Sequence, residues 1–305
     1  VVNAGLRFLV LVSALAVMVG LASATDDLSQ VARLQPPNPF WSGLDAGKLD
    51  LRSASVLVVD EAGNTVYRKG TTEIRSIASI TKLMTAMVVL DAGVDLDRRI
   101  TIGEGDRDRL KQTGSRLYID QATLTRRELL LLALMSSENR AASALGRTTF
   151  AGGKAQFVRT MNRKARALGM GHSRFLEPTG LDPANVSTAE DLVKLAQAAF
   201  DYPFISAATT RTSHQVRPYA GRGPLRYVNT NRLVRSGTWN VELSKTGYIR
   251  EAGRCLVMRA RIAGRPLYIV LLDAYGKLTP VGDSNRLRNW INSEIRPHQD
   301  HLDAS

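Results

Sequence analysis

The sequence predicts an α/β protein of the α+β kind: a five-stranded antiparallel sheet with flanking helices and an inserted helical subdomain. Three observations lead there. Two short apolar, β-branched runs joined by a turn stand near the start, three more stand near the end, and helical periodicity fills the chain between them. One domain satisfies that order if the N- and C-terminal strands meet in one sheet and the helices fold between them.

The elements follow in order. Ser55-Val56-Leu57-Val58-Val59 is a buried strand by its length and branching. Glu61-Ala62-Gly63-Asn64 is a turn signal, and Thr65 to Arg68 is the return strand of a hairpin. After Ser79, the residues Ile80, Leu83, Met84, Met87 and Leu90 recur at helical spacing. Thr125 with Glu128 forms a capping-box pattern before Leu129–Met135. Phe157, Val158, Met161, Ala165 and Leu168 mark a further amphipathic helix, ended by Gly169. Ser187 with Glu190 is expected to cap a helix through Phe200, stopped near Pro203. The late strands are Val241–Lys245, Cys255–Ile262 and Leu267–Asp273, the last two joined across Ala263-Gly264-Arg265-Pro266, and a helix over Asn285–Ile295 closes the domain.

Composition narrows the function classes. A chain of 305 residues with 44% hydrophobic residues builds its core without disulfides, and its one cysteine, Cys255, can neither close an internal bridge nor build a Cys-rich metal site. His172, His214, His298 and His301 lack metal-ligand spacing and read as structural or surface residues. The 41 Lys+Arg against 28 Asp+Glu give +13, but the basic residues are scattered, with no long basic run and no nucleic-acid-binding signature. A solvated basic surface is expected, not a nucleic-acid partner, and a carboxylate-rich polymer remains open as one.

Residues 1–24 carry Arg7, an apolar run from Phe8 to Leu21, then Ala22-Ser23-Ala24, the pattern of a cleaved secretory signal peptide. The expected organisation is that leader, an extended polar and Pro-rich lead-in over 25–50, a domain over 51–296 and a polar tail over 297–305. Export is expected to place the mature protein outside the cytoplasm.

Three short motifs carry chemistry. Ser79-Ile80-Thr81-Lys82 lies at a helix start, where i to i+3 spacing puts hydroxyl and amine on one face. A serine hydroxyl is a weak nucleophile until a base takes its proton, and a lysine is a base only when burial or another cation keeps it neutral. Ser137-Glu138-Asn139 follows the Leu-rich helix and offers a proton-relaying hydroxyl and an amide that can orient a substrate. Lys245-Thr246-Gly247 lies on a strand edge, with a cation and a hydroxyl for a carboxylate and a glycine against which a substrate backbone could lie. Each alone is weak: a cap with a surface lysine, a helix-end turn, and a strand running into a turn are the bland alternatives.

In this order and on these elements, the three motifs resemble the active site of the penicillin-binding proteins and class A β-lactamases. The runs Ile77–Met87, Leu134–Ala142 and Lys245-Thr246-Gly247-Tyr248 through Met258 are similar to D-alanyl-D-alanine peptidases of the penicillin-binding protein 7 type, which are endopeptidases of bacterial cell walls. The resemblance implies a β-lactamase/transpeptidase-like fold and an acyl-enzyme on Ser79, with Lys82 as general base and Ser137 passing the proton to the leaving amine. It also implies that Asn139 holds the substrate amide, that Lys245 and Thr246 receive its carboxylate, and that Lys245 helps keep Lys82 neutral. Backbone N–H groups of Ser79 and Tyr248, beside Gly247, would form the oxyanion hole. Stem peptides of peptidoglycan and β-lactams are the implied ligands, the resemblance implies no metal, nucleotide or organic cofactor, and loose membrane or wall association stays open.

Carboxypeptidase relatives more often carry Gly at the position of Glu138 and add a C-terminal β-domain and an anchor, so endopeptidase is expected over carboxypeptidase. A β-lactamase would need a deacylating carboxylate, which is not evident around Glu177. The loop Arg174–Leu181 looks like one that borders the active site in this family. From a different class, a non-catalytic cell-wall binding module is the remaining alternative, disfavoured by the intact nucleophile and lysine.

Overall fold

The computed structural model describes residue 41 and residues 43–302; the expected signal peptide and most of the lead-in lie outside the described residues. The strands are β1 (Ser55–Asp60), β2 (Thr65–Lys69), β3 (Arg75–Ser76), β4 (Arg99–Thr101), β5 (Thr123–Thr125), β6 (Val186–Ser187), β7 (Ser213–Val216), β8 (Leu225–Val228), β9 (Asn240–Ile249), β10 (Gly253–Ile262) and β11 (Arg265–Ala274). The α-helices are α1 (Thr81–Asp91), α2 (Arg126–Met135), α3 (Asn139–Thr148), α4 (Gly153–Ala167), α5 (Ala189–Phe200), α6 (Pro203–Thr210), α7 (Arg232–Ser236) and α8 (Thr279–Leu302).

The main sheet has the order β2-β1-β11-β10-β9, antiparallel throughout. The N-terminal strand β1 pairs with the last strand β11, Ser55 opposite Leu272 and Asp60 opposite Leu267, so the termini of the domain meet as expected. An antiparallel sheet with one wet face would alternate apolar and polar residues. Here both faces are covered. Leu57, Val59, Val257, Val270 and Leu272 face the helical core. Val56, Val58, Leu256, Met258, Ile269 and Leu271 pack with Leu287, Trp290 and Ile291 of α8. That two-sided burial is why β1 and β11 read as unbroken apolar runs.

Between β2 and β9 lies the helical subdomain. Helix α1 runs through it, buried from Thr81 to Val89, with α2 to α5 packed around it. The capping box before α2 is present, with Thr125 accepting from the Glu128 N–H and the Glu128 carboxylate from the Thr125 N–H.

The structure shifts several predicted boundaries. Thr188, not Ser187, caps α5 and accepts from the Asp191 N–H, while Ser187 pairs in β6. Pro203 does not only stop a helix; it stands in the first turn of α6, where its missing N–H costs nothing. The last hairpin turns on Ala263 and Gly264 alone, and Arg265 and Pro266 are already paired in β11. Helix α8 starts at Thr279 and runs through Leu302, into the stretch expected to be a tail.

Candidate active site

A short 3-10 turn, Ala78–Ile80, leads directly into α1 and places Ser79 two residues ahead of the helix. Lys82, in the first turn of α1, is fully buried, and its Nζ lies 2.8 Å from Ser79 Oγ. Two further contacts fix the amine: Asn139 Oδ1 at 2.8 Å and the Thr179 carbonyl at 2.6 Å. These partners decide where its lone pair points. A neutral amine has two N–H donors, and neither an amide oxygen nor a carbonyl can donate. Both donors are therefore claimed, and the lone pair is left facing the Ser79 hydroxyl.

Ser137 sits in the turn between α2 and α3 with φ +60°, a left-handed conformation that turns the chain out of α2 and its side chain into the cleft. Lys245 of β9, also buried, donates to Ser137 Oγ at 3.0 Å and to its neighbour's carbonyl, Thr246 O, at 2.9 Å. Thr246 donates to the Thr230 hydroxyl at 2.6 Å. Asn139 donates to Thr113 Oγ1 at 3.0 Å, so besides facing the cleft it orients Lys82.

Burial is the main cause acting on both amines. It lowers Lys82 to about 8, against the opposing pull of the Glu177 and Glu138 carboxylates. Lys245 is held well below the ordinary lysine range by burial and then by the charge of Lys82. The expectation that Lys245 keeps Lys82 neutral is thus recast: desolvation does most of that work, and Lys82 depresses Lys245.

Gly247 also has a purpose within the fold. A side chain there would meet the protein's own backbone, with a Cβ 2.9 Å from Ile77 O and 3.1 Å from Ser79 N. Glycine lets β9 lie against the turn that carries the nucleophile. Tyr248, next along β9, is half-exposed at the cleft and stacks under the Arg254 guanidinium at 3.6 Å. Ser79, Ser137, Asn139, Thr246, Gly247 and Tyr248 all line one cleft of about 1060 Å³.

Sequence reasoning did not single out Thr113 or Thr230 and named Thr179 only within the loop Arg174–Leu181; all three act through a hydroxyl or a carbonyl brought in by tertiary folding. The loop Arg174–Leu181 does border the site. Glu177 holds it by accepting the N–H groups of Thr179, Gly180 and Leu181 at 2.6, 2.5 and 2.9 Å, together with Asn185 Nδ2 at 3.1 Å. A carboxylate so occupied is a loop staple, not a base poised over water. Gly180 has φ +82°, and a Cβ there would fall 1.9 Å from Ala78 O. Gly180→Ala is expected to push the loop off the Ser79 turn, destabilising the protein by about 2 kcal/mol or more and cutting penicillin acylation at least tenfold. Unchanged melting and labelling would show that the loop position does not matter.

Cys255 is a core residue: buried in β10, its thiol pushed up to about 12 by burial. His172 is exposed, and the His214 imidazole, beside Arg211, is lowered by partial burial and then by that charge. Neither lines the cleft.

A buried lysine aimed at a serine, a second buried lysine on an edge strand and a helical subdomain set into an antiparallel sheet define a serine acyl-transferase of the penicillin-binding fold. The profile of the D-alanyl-D-alanine carboxypeptidase family, peptidase S11, matches residues 43–276, and the chain belongs to that family of serine D-Ala-D-Ala peptidases. Among its relatives, a D-alanyl-D-alanine endopeptidase of Pseudomonas aeruginosa is 45% identical over 245 residues, covering 80% of this chain and 78% of that protein. One of Escherichia coli is 43% identical over 249 residues, covering 81% and 80%. The crystal structure of a Streptomyces DD-transpeptidase superposes with a TM-score of 0.73 at 26% identity, covering 79% of this chain and 97% of the other. A penicillin-binding protein of Listeria monocytogenes, in its cefotaxime-bound form, gives 0.69 at 28% identity, covering 80% and 98%.

Proposed function

We propose that this protein is a serine D,D-endopeptidase that hydrolyses the D-alanyl cross-links of peptidoglycan and is inhibited by β-lactams. The observation that carries the chemistry is the Lys82 amine, buried and 2.8 Å from Ser79 Oγ, with its other contacts both acceptors. Neutral Lys82 takes the Ser79 proton as Oγ adds to the D-Ala carbonyl. The tetrahedral oxyanion is met by the backbone N–H groups of Ser79 and Tyr248; one such donor typically contributes about 3–4 kcal/mol. The C–N bond then breaks, and the leaving amine takes up a proton, passed from Lys82 by way of Ser137. Water next attacks the acyl-enzyme ester, restoring the Ser79 hydroxyl and releasing the D-Ala carboxylate. Asn139 orients Lys82 and has one amide hydrogen left for the substrate, while Lys245 and Thr246 receive the carboxylate of the leaving residue. A β-lactam, whose strained amide resembles the scissile peptide, would stop at the ester.

Endopeptidase is preferred over carboxypeptidase because the relatives at 45% and 43% identity carry the endopeptidase name, although the family profile is described by its carboxypeptidases. Residues 1–24 would export the protein to the periplasm. No helix among the described residues is long and apolar enough to cross a membrane.

The test uses residues 25–305 with cross-linked dimeric muropeptide and, separately, pentapeptide monomer, followed by liquid chromatography with mass detection. Dimer split to monomers with pentapeptide left whole is the expected result. Release of terminal D-Ala alone would make the protein a carboxypeptidase, and no change in either substrate would favour the binding module.

A further inference from the structure

The cleft is larger than hydrolysis at Ser79 requires. Its volume of about 1060 Å³ lies just above the range that encloses a whole drug-sized ligand, about 300–1,000 Å³, whereas a terminal D-Ala is one small residue. Among the described residues β9 pairs only with β10, and past it a second arm of the cleft is lined by Leu256 of β10 and by Pro280 and Val281 at the start of α8. Tyr248 of β9 and Arg254 of β10 also line the cleft, stacked on each other.

This second arm is cationic. Arg232 stands two residues beyond Thr230, the hydroxyl that Thr246 bonds, and Lys277 stands on the loop before α8. Both are exposed and line the cleft, and neither has a carboxylate within ion-pair distance among the described residues. Arg235, also in the wall, donates to the Asn229 carbonyl. Among the described residues the cleft wall holds one carboxylate, Glu138, which is buried next to Ser137 in the turn between α2 and α3. An arm with several cations and no facing acid repels a cationic ligand and favours an extended anionic one.

We infer that this arm receives the leaving-group stem of the cross-linked substrate, with Arg232 and Lys277 pairing with the carboxylates that stem carries beyond the scissile bond. The inference deepens the endopeptidase reading and rests on it. A single leaving D-Ala has one carboxylate, met at Lys245 and Thr246, and would leave Arg232 and Lys277 unused; a second stem peptide supplies further carboxylates and the length to reach them. The two side chains thereby select dimer over monomer without touching the reacting atoms.

The test is the double variant Arg232→Gln, Lys277→Gln, compared with the unaltered protein in three assays. For dimeric muropeptide, KM is expected to rise about tenfold or more with kcat within about twofold, since two ion pairs of modest strength are lost. Acylation by a fluorescent penicillin, which does not extend into the arm, is expected to change by less than about twofold. Binding of an uncross-linked stem tetrapeptide to the Ser79→Ala protein is expected to weaken about tenfold when the two glutamines are added, and to lose most of its salt dependence. Equal KM and equal tetrapeptide affinity in the two proteins overturn the inference. So does a parallel loss in all three assays, which would make the pair structural. If the unaltered protein leaves dimer whole, the endopeptidase reading fails, and tetrapeptide binding still decides whether the arm reads carboxylates.

Discussion

Ser79→Ala is expected to abolish covalent labelling by penicillin and to lower dimer cleavage by about 10⁴-fold or more, with no loss of thermal stability. The size of the effect follows from the single route through the site. The acyl-enzyme forms on one oxygen, and Lys82, Asn139 and Ser137 act only on protons and orientation around it; removing a nucleophile that works as a unit with its base costs nearly the whole acceleration. Stability should hold for a different reason. The Ser79 hydroxyl is half-buried and its contact is with Lys82, an amine that burial already strains toward neutrality. Losing that hydroxyl leaves Lys82 its two acceptors, Asn139 Oδ1 and Thr179 O, enough for both N–H groups of the neutral form. Intact-protein mass spectrometry after incubation with penicillin reads the outcome. An adduct on the Ser79→Ala protein would remove Ser79 as the nucleophile, and a large drop in melting temperature would make the activity loss uninformative about chemistry.

Much of this arrangement was legible in the sequence because it is local. The i, i+3 spacing of Ser79 and Lys82 dictates a shared helix face, and β1 and β11 announce themselves by continuous β-branched runs. The parts that were not legible come from distant segments. Thr179 reaches Lys82 by its backbone carbonyl, for which any residue would serve, so no residue type marks the position. Thr230 meets Thr246 only because the turn before α7 folds over β9. Gly247 reads in the sequence as room for a substrate, and only the distance from a Cβ placed there to Ile77 O shows that the Ser79 turn needs that room as well. The capping slip at Ser187 has the same origin: two adjacent hydroxyl residues fit the pattern, and pairing with β3 takes the first of them.

The two buried lysines tie the fold to the chemistry, and the second expected result exploits that tie. Acylation of the unaltered protein should rise about tenfold per pH unit up to about pH 8 and then level off, because the reactive form carries neutral Lys82 and its amine titrates at about 8. Lys82→Ala should slow acylation by about 10²–10⁴-fold and flatten that profile, since the titrating base is gone. Stability gives an independent readout with a definite sign. Lys82 is lowered from 10.5 in the unfolded chain to about 8 in the folded one, so between those values the unfolded state binds more protons and stability rises with pH. Below about 8 the contribution is constant and unfavourable. In the Lys82→Ala protein that slope should shrink. It does not vanish, because Lys245 is also depressed, although its amine should move back up once the Lys82 charge that helps hold it down is removed. Chemical denaturation at a series of pH values, run beside penicillin acylation rates, measures both. Near-normal acylation with the pH slope intact would mean that another group removes the Ser79 proton and that the 2.8 Å contact is structural.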